Sequence, residues 1–151
     1  MPVYVDISRC IGCRSCEVAC KRVHEGKSHV NVHFAGDHAS VPVFCHHCED
    51  ATCTMACYTG ALYKDGDRTA FSVEKCTGCG LCRLACPFGV VWTDKLAHKC
   101  DLCVGTGRET PTCITTCPAN ALSADFELAS KRARTRAAMS AAHAYSQGGK
   151  R

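Results

Sequence analysis

The chain has 151 residues, 16 of them cysteine, with a formal net charge of +4. Residues 1–123 hold 12 Lys+Arg against 12 Asp+Glu, so the basic excess lies wholly in residues 124–151; this excludes the basic folded face of a nucleic-acid binder. One Trp, five Phe and four Tyr are too few to hold so short a fold together unaided, which calls for another staple.

Dense cysteine means either a disulfide scaffold in a secreted protein or metal binding where thiols stay reduced. The start "MPVYVDISRC" has no basic flank, apolar run or twin arginine. No apolar stretch approaches the roughly 20 residues of a membrane span. The expectation is a cytoplasmic chain with metal-binding thiols and no transmembrane segment.

In chain order, "VYVDI" alternates as a short strand before the first cysteine group, Cys10, Cys13, Cys16 and Cys20. "HVNVHF" at 29–34 alternates again. The second group is Cys45, Cys48, Cys53 and Cys57. "ALYKDGDRTAFSV" places Asp65-Gly66 between two β-prone runs and predicts a hairpin. The third group, in "KCTGCGLCRLACPFGVV", is Cys76, Cys79, Cys82 and Cys86, and "GVVWT" after it is β-prone. The fourth is Cys100, Cys103, Cys113 and Cys117. A brief helix is expected after the third cysteine of each group. Residues 124–146 lack Gly and Pro and predict a helix, with "SQGGKR" as a loose end.

The groups form an internal repeat. Groups one and three share C-x2-C-x2-C-x3-C at an offset of 66 residues. Groups two and four lengthen the gap before the third cysteine and end alike, "TCTMACYTGAL" against "TCITTCPANAL". A run C-x2-C-x2-C-x3-C-P is the bacterial ferredoxin signature for [4Fe–4S] clusters, with the fourth cysteine ligating a second cluster. Pro follows Cys86 and Cys117, and fixed φ turns the chain away there. Gly12 and Gly78 precede the second cysteines, where φ > 0 lets the loop approach a cluster closely.

Sixteen thiolates at four per cluster give four clusters with none left over. At about −2 each they move the formal charge from +4 to about −4. Structural zinc sites use separated C-x2-C pairs, and this tight triple spacing suits them poorly. Every group has four cysteines, so His46, His47 and His98 fill no ligand vacancy and suit hydrogen bonds around a cluster. His24, His29, His33 and His38 read as scattered surface histidines, and Trp92 as packing over a cluster. The polar loop "VGTGRETPT" reads equally as partner contact or solvent loop. In the tail, Lys131, Arg132, Arg134 and Arg136 with Phe126, Leu128, Met139 and Tyr145 make either a docking helix or a solvated one.

On "VPVFCHHCEDATC", "VEKCTGCGLCRLACPFGVV" and "KCDLC…PTCITTCPANAL" the chain resembles the four-cluster ferredoxin subunits of molybdenum and tungsten oxidoreductases. These are the iron–sulfur subunits of the dimethyl sulfoxide reductase and formate dehydrogenase type. Similar subunits serve hydrogenases, carbon monoxide dehydrogenases and, as a small polyferredoxin, bacterial tungsten aldehyde oxidoreductases. The resemblance implies an α+β fold of two ferredoxin-like units, one inserted in the other, with short strands and helices around four clusters and a C-terminal helix. The polyferredoxin region is then 1–123, with an inner unit at 42–95, an outer unit at 1–41 and 96–123, and a basic Ala-rich tail at 124–151.

The resemblance also implies ligand sets. Cys10, Cys13 and Cys16 with Cys117 hold one cluster (a), and Cys100, Cys103 and Cys113 with Cys20 its neighbour (b). Cys45, Cys48 and Cys53 with Cys86 hold a third (c), and Cys76, Cys79 and Cys82 with Cys57 the fourth (d). Spacing alone also allows group one to pair with two and three with four. One departure is Tyr58, where the family usually has proline. The implied role is an electron wire, not catalytic alone. It joins a tungsten- or molybdenum-pterin subunit to a flavin subunit, another carrier or a copy of itself. A freely diffusing polyferredoxin, or a partner of a hydrogenase or carbon monoxide dehydrogenase, is the alternative; a zinc-stabilised interaction module is remoter.

Overall fold

Four cysteine groups and their loops leave room only for short elements. The protein is seen in a computed structural model that describes residues 2–36 and 39–148. Its strands form four separate two-stranded antiparallel ribbons. β1 (Tyr4–Val5) pairs with β8 (Leu122–Ser123), β2 (Val30–Ala35) with β3 (Ala39–Phe44), β4 (Leu62–Asp65) with β5 (Arg68–Phe71), and β6 (Trp92–Thr93) with β7 (Ala97–His98).

The β4–β5 hairpin is where Asp65-Gly66 predicts it, and Asp65 faces Arg68 across the turn. Gly66 supplies the positive φ of +60°. In β2, Val30 and Val32 turn inward while Asn31 and His33 face out. The Glu17 carboxylate accepts the Val32 N–H and so ties β2 to the helix of group one. "GVVWT" yields a shorter strand than expected, because Val90 and Val91 enter the core ahead of Trp92.

The helices start earlier than expected. α1 (Ser15–Val23), α2 (Thr52–Met55), α3 (Leu81–Ala85) and α4 (Thr112–Thr115) each open one residue ahead of the third cysteine and carry it in their first turn. Left-handed residues launch two of them: Arg14 at φ 57° before α1 and Gly80 at φ 77° before α3. Cys16, Ala19 and Cys20 form the buried stripe of α1, at i, i+3 and i+4. α1 packs on α4, and α2 on α3, where the Thr52 hydroxyl donates to the Ala85 carbonyl at 2.7 Å.

The core divides into two clusters. One gathers Val3, Val30, Val32, Phe44, Val90, Leu102 and Leu122 around Cys16, Cys20, Cys45, Cys100 and Cys113. The other gathers Ala51, Leu62, Val91 and Ala97 around Cys53 and Cys82. Burial of apolar area alone at ~25 cal/mol per Å² would be modest for these small side chains.

α5 (Phe126–Gly148) is the one long helix among the described residues. It takes in Ser146, Gln147 and Gly148, expected as a loose end; residues 149–151 lie outside the described residues. Asp125 accepts the Leu128 N–H at 3.2 Å and caps the start. Phe126 rests against Tyr4, ring centroids 5.2 Å apart. Arg136 donates to the carbonyl and hydroxyl of Ser8 at 2.6 and 2.8 Å. No helix among the described residues is long and apolar enough to cross a membrane.

Candidate iron–sulfur centres

No disulfide joins any of the sixteen cysteines. Instead the thiols face shared hollows. Cys10, Cys13, Cys16 and Cys117 line one small cavity, with Val32, Ala121 and Leu122. Cys57, Cys76, Cys79 and Cys82 line another, with Ala61, Leu62 and Phe71. The two cavities correspond residue by residue under the repeat: three cysteines from a tight loop, one from the motif ending in Ala-Leu.

Of the other eight thiols, all but Cys48 and Cys86 are buried. Burial pushes Cys113 up to about 12, and neighbouring Cys103, Cys20 and Cys16 add to the effect. Burial raises Cys100 as well. Cys45 is raised by burial, then by Cys86 and Cys48. Cys53 is raised by burial, then by Cys45 and Cys86. Buried thiols held this high stay protonated near neutrality, so binding a metal there releases protons and couples loading to folding.

Backbone amides already aim at sulfur. The N–H groups of His29, Leu62, Leu102 and Ala121 donate to Sγ of Cys20, Cys57, Cys100 and Cys117 at 3.2, 3.4, 3.4 and 3.3 Å. At Cys57 burial works upward, but the Leu62 amide and Thr59 outweigh it and the thiol is lowered. Such donors favour thiolate and tune a bound cluster. Four thiols around each apolar-walled cavity, with amides turned to sulfur, fit a four-thiolate iron–sulfur cluster.

Both predicted glycines have positive φ, Gly12 at +67° and Gly78 at +71°. A Cβ on Gly78 would stand 2.2 Å from the Lys95 carbonyl oxygen, so only glycine lets the loop pass there. Tyr58 is exposed, and its hydroxyl meets the Thr77 hydroxyl at 3.1 Å beside the Cys76–Cys79 loop.

The histidines differ from expectation. His24 and His29 are not scattered on the surface: their rings meet at a tilt, centroids 4.7 Å apart. His24 Nε2 lies 3.5 Å from Asp101 and 3.8 Å from Cys103 Sγ. Cys20, His24 and His29 converge, as do His24, Asp101 and Cys103. The end of α1, the start of β2 and group four meet here, a juxtaposition that only the tertiary fold creates. Burial lowers His29 to about 4. His33 is exposed; His38 lies outside the described residues.

His47 is buried, accepts the Thr69 N–H at 3.1 Å on Nδ1 and is lowered by burial to about 3. The His46 ring packs at a tilt on Phe88, centroids 4.1 Å apart. Trp92 stacks on His98 at 4.1 Å with the Lys27 ammonium 5.9 Å from its ring centre. Asp94 joins this group, 2.8 Å from His98 and 3.3 Å from Lys27. Trp92 thus packs on a histidine. From Val104 to Glu109 the group-four loop is exposed.

A 4Fe-4S dicluster domain matches residues 36–126, more than half the chain. The chain belongs to the 4Fe-4S dicluster domain family. A separate 4Fe-4S binding domain matches residues 7–23, so iron–sulfur motifs cover all four cysteine groups of this family member. It is 41% identical over 130 residues to the putative oxidoreductase UacF of Escherichia coli, over 80% of this chain and 20% of that protein. It therefore spans about a fifth of the length of that relative. It is also 41% identical over 137 residues to the thiosulfate reductase electron transfer subunit PhsB of Salmonella typhi, covering 78% of this chain and 71% of PhsB. With the electron transport protein HydN of Escherichia coli it shares 34% over 149 residues, 80% of this chain and 85% of HydN.

Proposed function

We propose that the chain relays single electrons through four [4Fe–4S] clusters, between a tungsten- or molybdenum-pterin catalytic subunit and a second redox partner such as a flavin subunit. The observation that carries this is the pair of matched cavities, each lined by three cysteines of one group and one of another. The names of PhsB and HydN, an electron transfer subunit and an electron transport protein, support the same role.

The ligand sets are those of the nested arrangement: Cys10/13/16/117, Cys100/103/113/20, Cys45/48/53/86 and Cys76/79/82/57. The pairing of β1 with β8 and the packing of α1 on α4 and of α2 on α3 support an inner unit (42–95) set within an outer one (1–41 and 96–123). A bound [4Fe–4S] cluster supplies one-electron redox chemistry. The chain's part is to hold each cluster by four thiolates, wall it from water with apolar side chains and donate amides to sulfur. No residue acts as nucleophile or general base, so the chain is not catalytic by itself. Reduced thiols suit a cytoplasmic setting.

Purification of the native complex, followed by assay of tungsten, molybdenum and nickel, tests the partner. Stoichiometric tungsten or molybdenum is the expected result. Nickel in their place would assign the chain to a hydrogenase or carbon monoxide dehydrogenase. A lone monomer with no partner would favour a diffusing carrier.

A further inference from the structure

Lys99 is buried at 5% exposure, one residue before Cys100. Its ammonium donates to the Thr69 carbonyl on β5 at 2.5 Å and to the Cys100 carbonyl at 2.7 Å. Among the described residues no carboxylate forms an ion pair with it. An ammonium buried without an opposite charge costs several kcal/mol, so such a lysine either neutralises or finds an anion.

In the cluster-loaded chain the anions at hand are the ligand thiolates. Cys100 adjoins Lys99, and Cys45 packs with Cys100 in one buried cluster. Thr69, whose carbonyl accepts from Lys99, donates its amide to His47, two residues after Cys45. Cys45 and Cys53 belong to group two, Cys100 to group four. Lys99 therefore lies where the two sulfur sets come together, bonded on one side to β5 and on the other to the group-four loop.

We infer that the Lys99 ammonium is the shared counter-charge of the Cys45/48/53/86 and Cys100/103/113/20 sets, and that it raises the reduction potentials of the two clusters held there above those of the other two. The inference rests on the four-cluster reading proposed above. Each electron gained adds a negative charge beside a fixed cation, which stabilises the reduced state in a low-dielectric interior. Between the two sets the step is a one-electron transfer. One set is oxidised as the other is reduced, and no bond forms or breaks. Lys99 thus makes these two clusters the favoured residence of the electron.

The test is an EPR-monitored redox titration of the intact, cluster-loaded chain with Lys99→Met, Lys99→Gln and Lys99→Arg. Two of the four midpoint potentials should fall in both neutral variants. The expected fall is about tenfold in the reduction equilibrium, or about 59 mV for one electron. The other two, and all four in Lys99→Arg, should keep their wild-type values. Unchanged potentials in the neutral variants, or an equal shift of all four, overturn the inference. If the neutral variants lose iron, full loading restored in Lys99→Arg supports a role of charge. Loss in all three variants overturns it, since shape would then be what the site requires. Iron and sulfide in the unaltered chain separate the two readings: fewer than four clusters there contradicts the four-cluster reading, whatever the variants do.

Discussion

The carbonyl of Lys95 closes over Gly78 so tightly that a Cβ would stand 2.2 Å from its oxygen. The contact is with backbone, which cannot swing aside as a side chain can. Gly78→Ala therefore combines strain at φ +71° with a steric clash, about 2–4 kcal/mol together. Gly66→Ala is the control: φ is +60°, nothing lies within 4 Å, and about 1 kcal/mol is expected. Denaturant unfolding with iron analysis checks both. Equal behaviour of the two variants would show that the Lys95 contact does not matter.

Cys20 lies on α1 in group one, yet Cys103 and Asp101 of the group-four segment act on it. Cys20→Ser is expected to damage the cluster of group four. EPR of the variant reads this directly. Signal loss restricted to group one's cluster would sink the nested assignment, and damage to group two's cluster would favour sequential pairing.

Tyr58 replaces a usual proline and holds Thr77 by one exposed hydroxyl contact. Tyr58→Phe removes that contact alone and should cost no more than about 1 kcal/mol, with iron content unchanged. A variant short of four irons would show that Tyr58 braces the Cys76–Cys79 loop.

Beyond Arg136 the residues of α5 up to Ala142 are exposed, Met139 among them. Truncation after Ser123 removes the Tyr4–Phe126 and Ser8–Arg136 contacts but no cysteine. The shortened protein should keep all its iron and lose its partner on co-purification. Full partner occupancy after truncation would leave the helix without a docking role.

The cysteine motifs were legible because their chemistry is local: four ligands within a few residues, glycine where φ must be positive. The β4–β5 hairpin was legible through Asp65-Gly66. The β1–β8 ribbon was not, since two residue pairs joining Tyr4 to Ser123 and Val5 to Leu122 leave no periodic signal. α1 and α3 begin a residue early because Arg14 and Gly80 adopt left-handed backbone, which spacing does not reveal. His24 and His29 look scattered along the chain, but the turn after α1 brings their rings together, and the tertiary fold sets Asp101 beside His24. Lys99 gave no signal at all, because lysine is ordinarily a surface residue and only tertiary packing buries it.

Quantitative iron, acid-labile sulfide and zinc on the intact, anaerobically purified chain test the central claim most directly. Four [4Fe–4S] clusters on sixteen cysteines predict about 16 iron and about 16 sulfide per chain and no zinc. Zinc without sulfide, or iron and sulfide for fewer than four clusters, would contradict it.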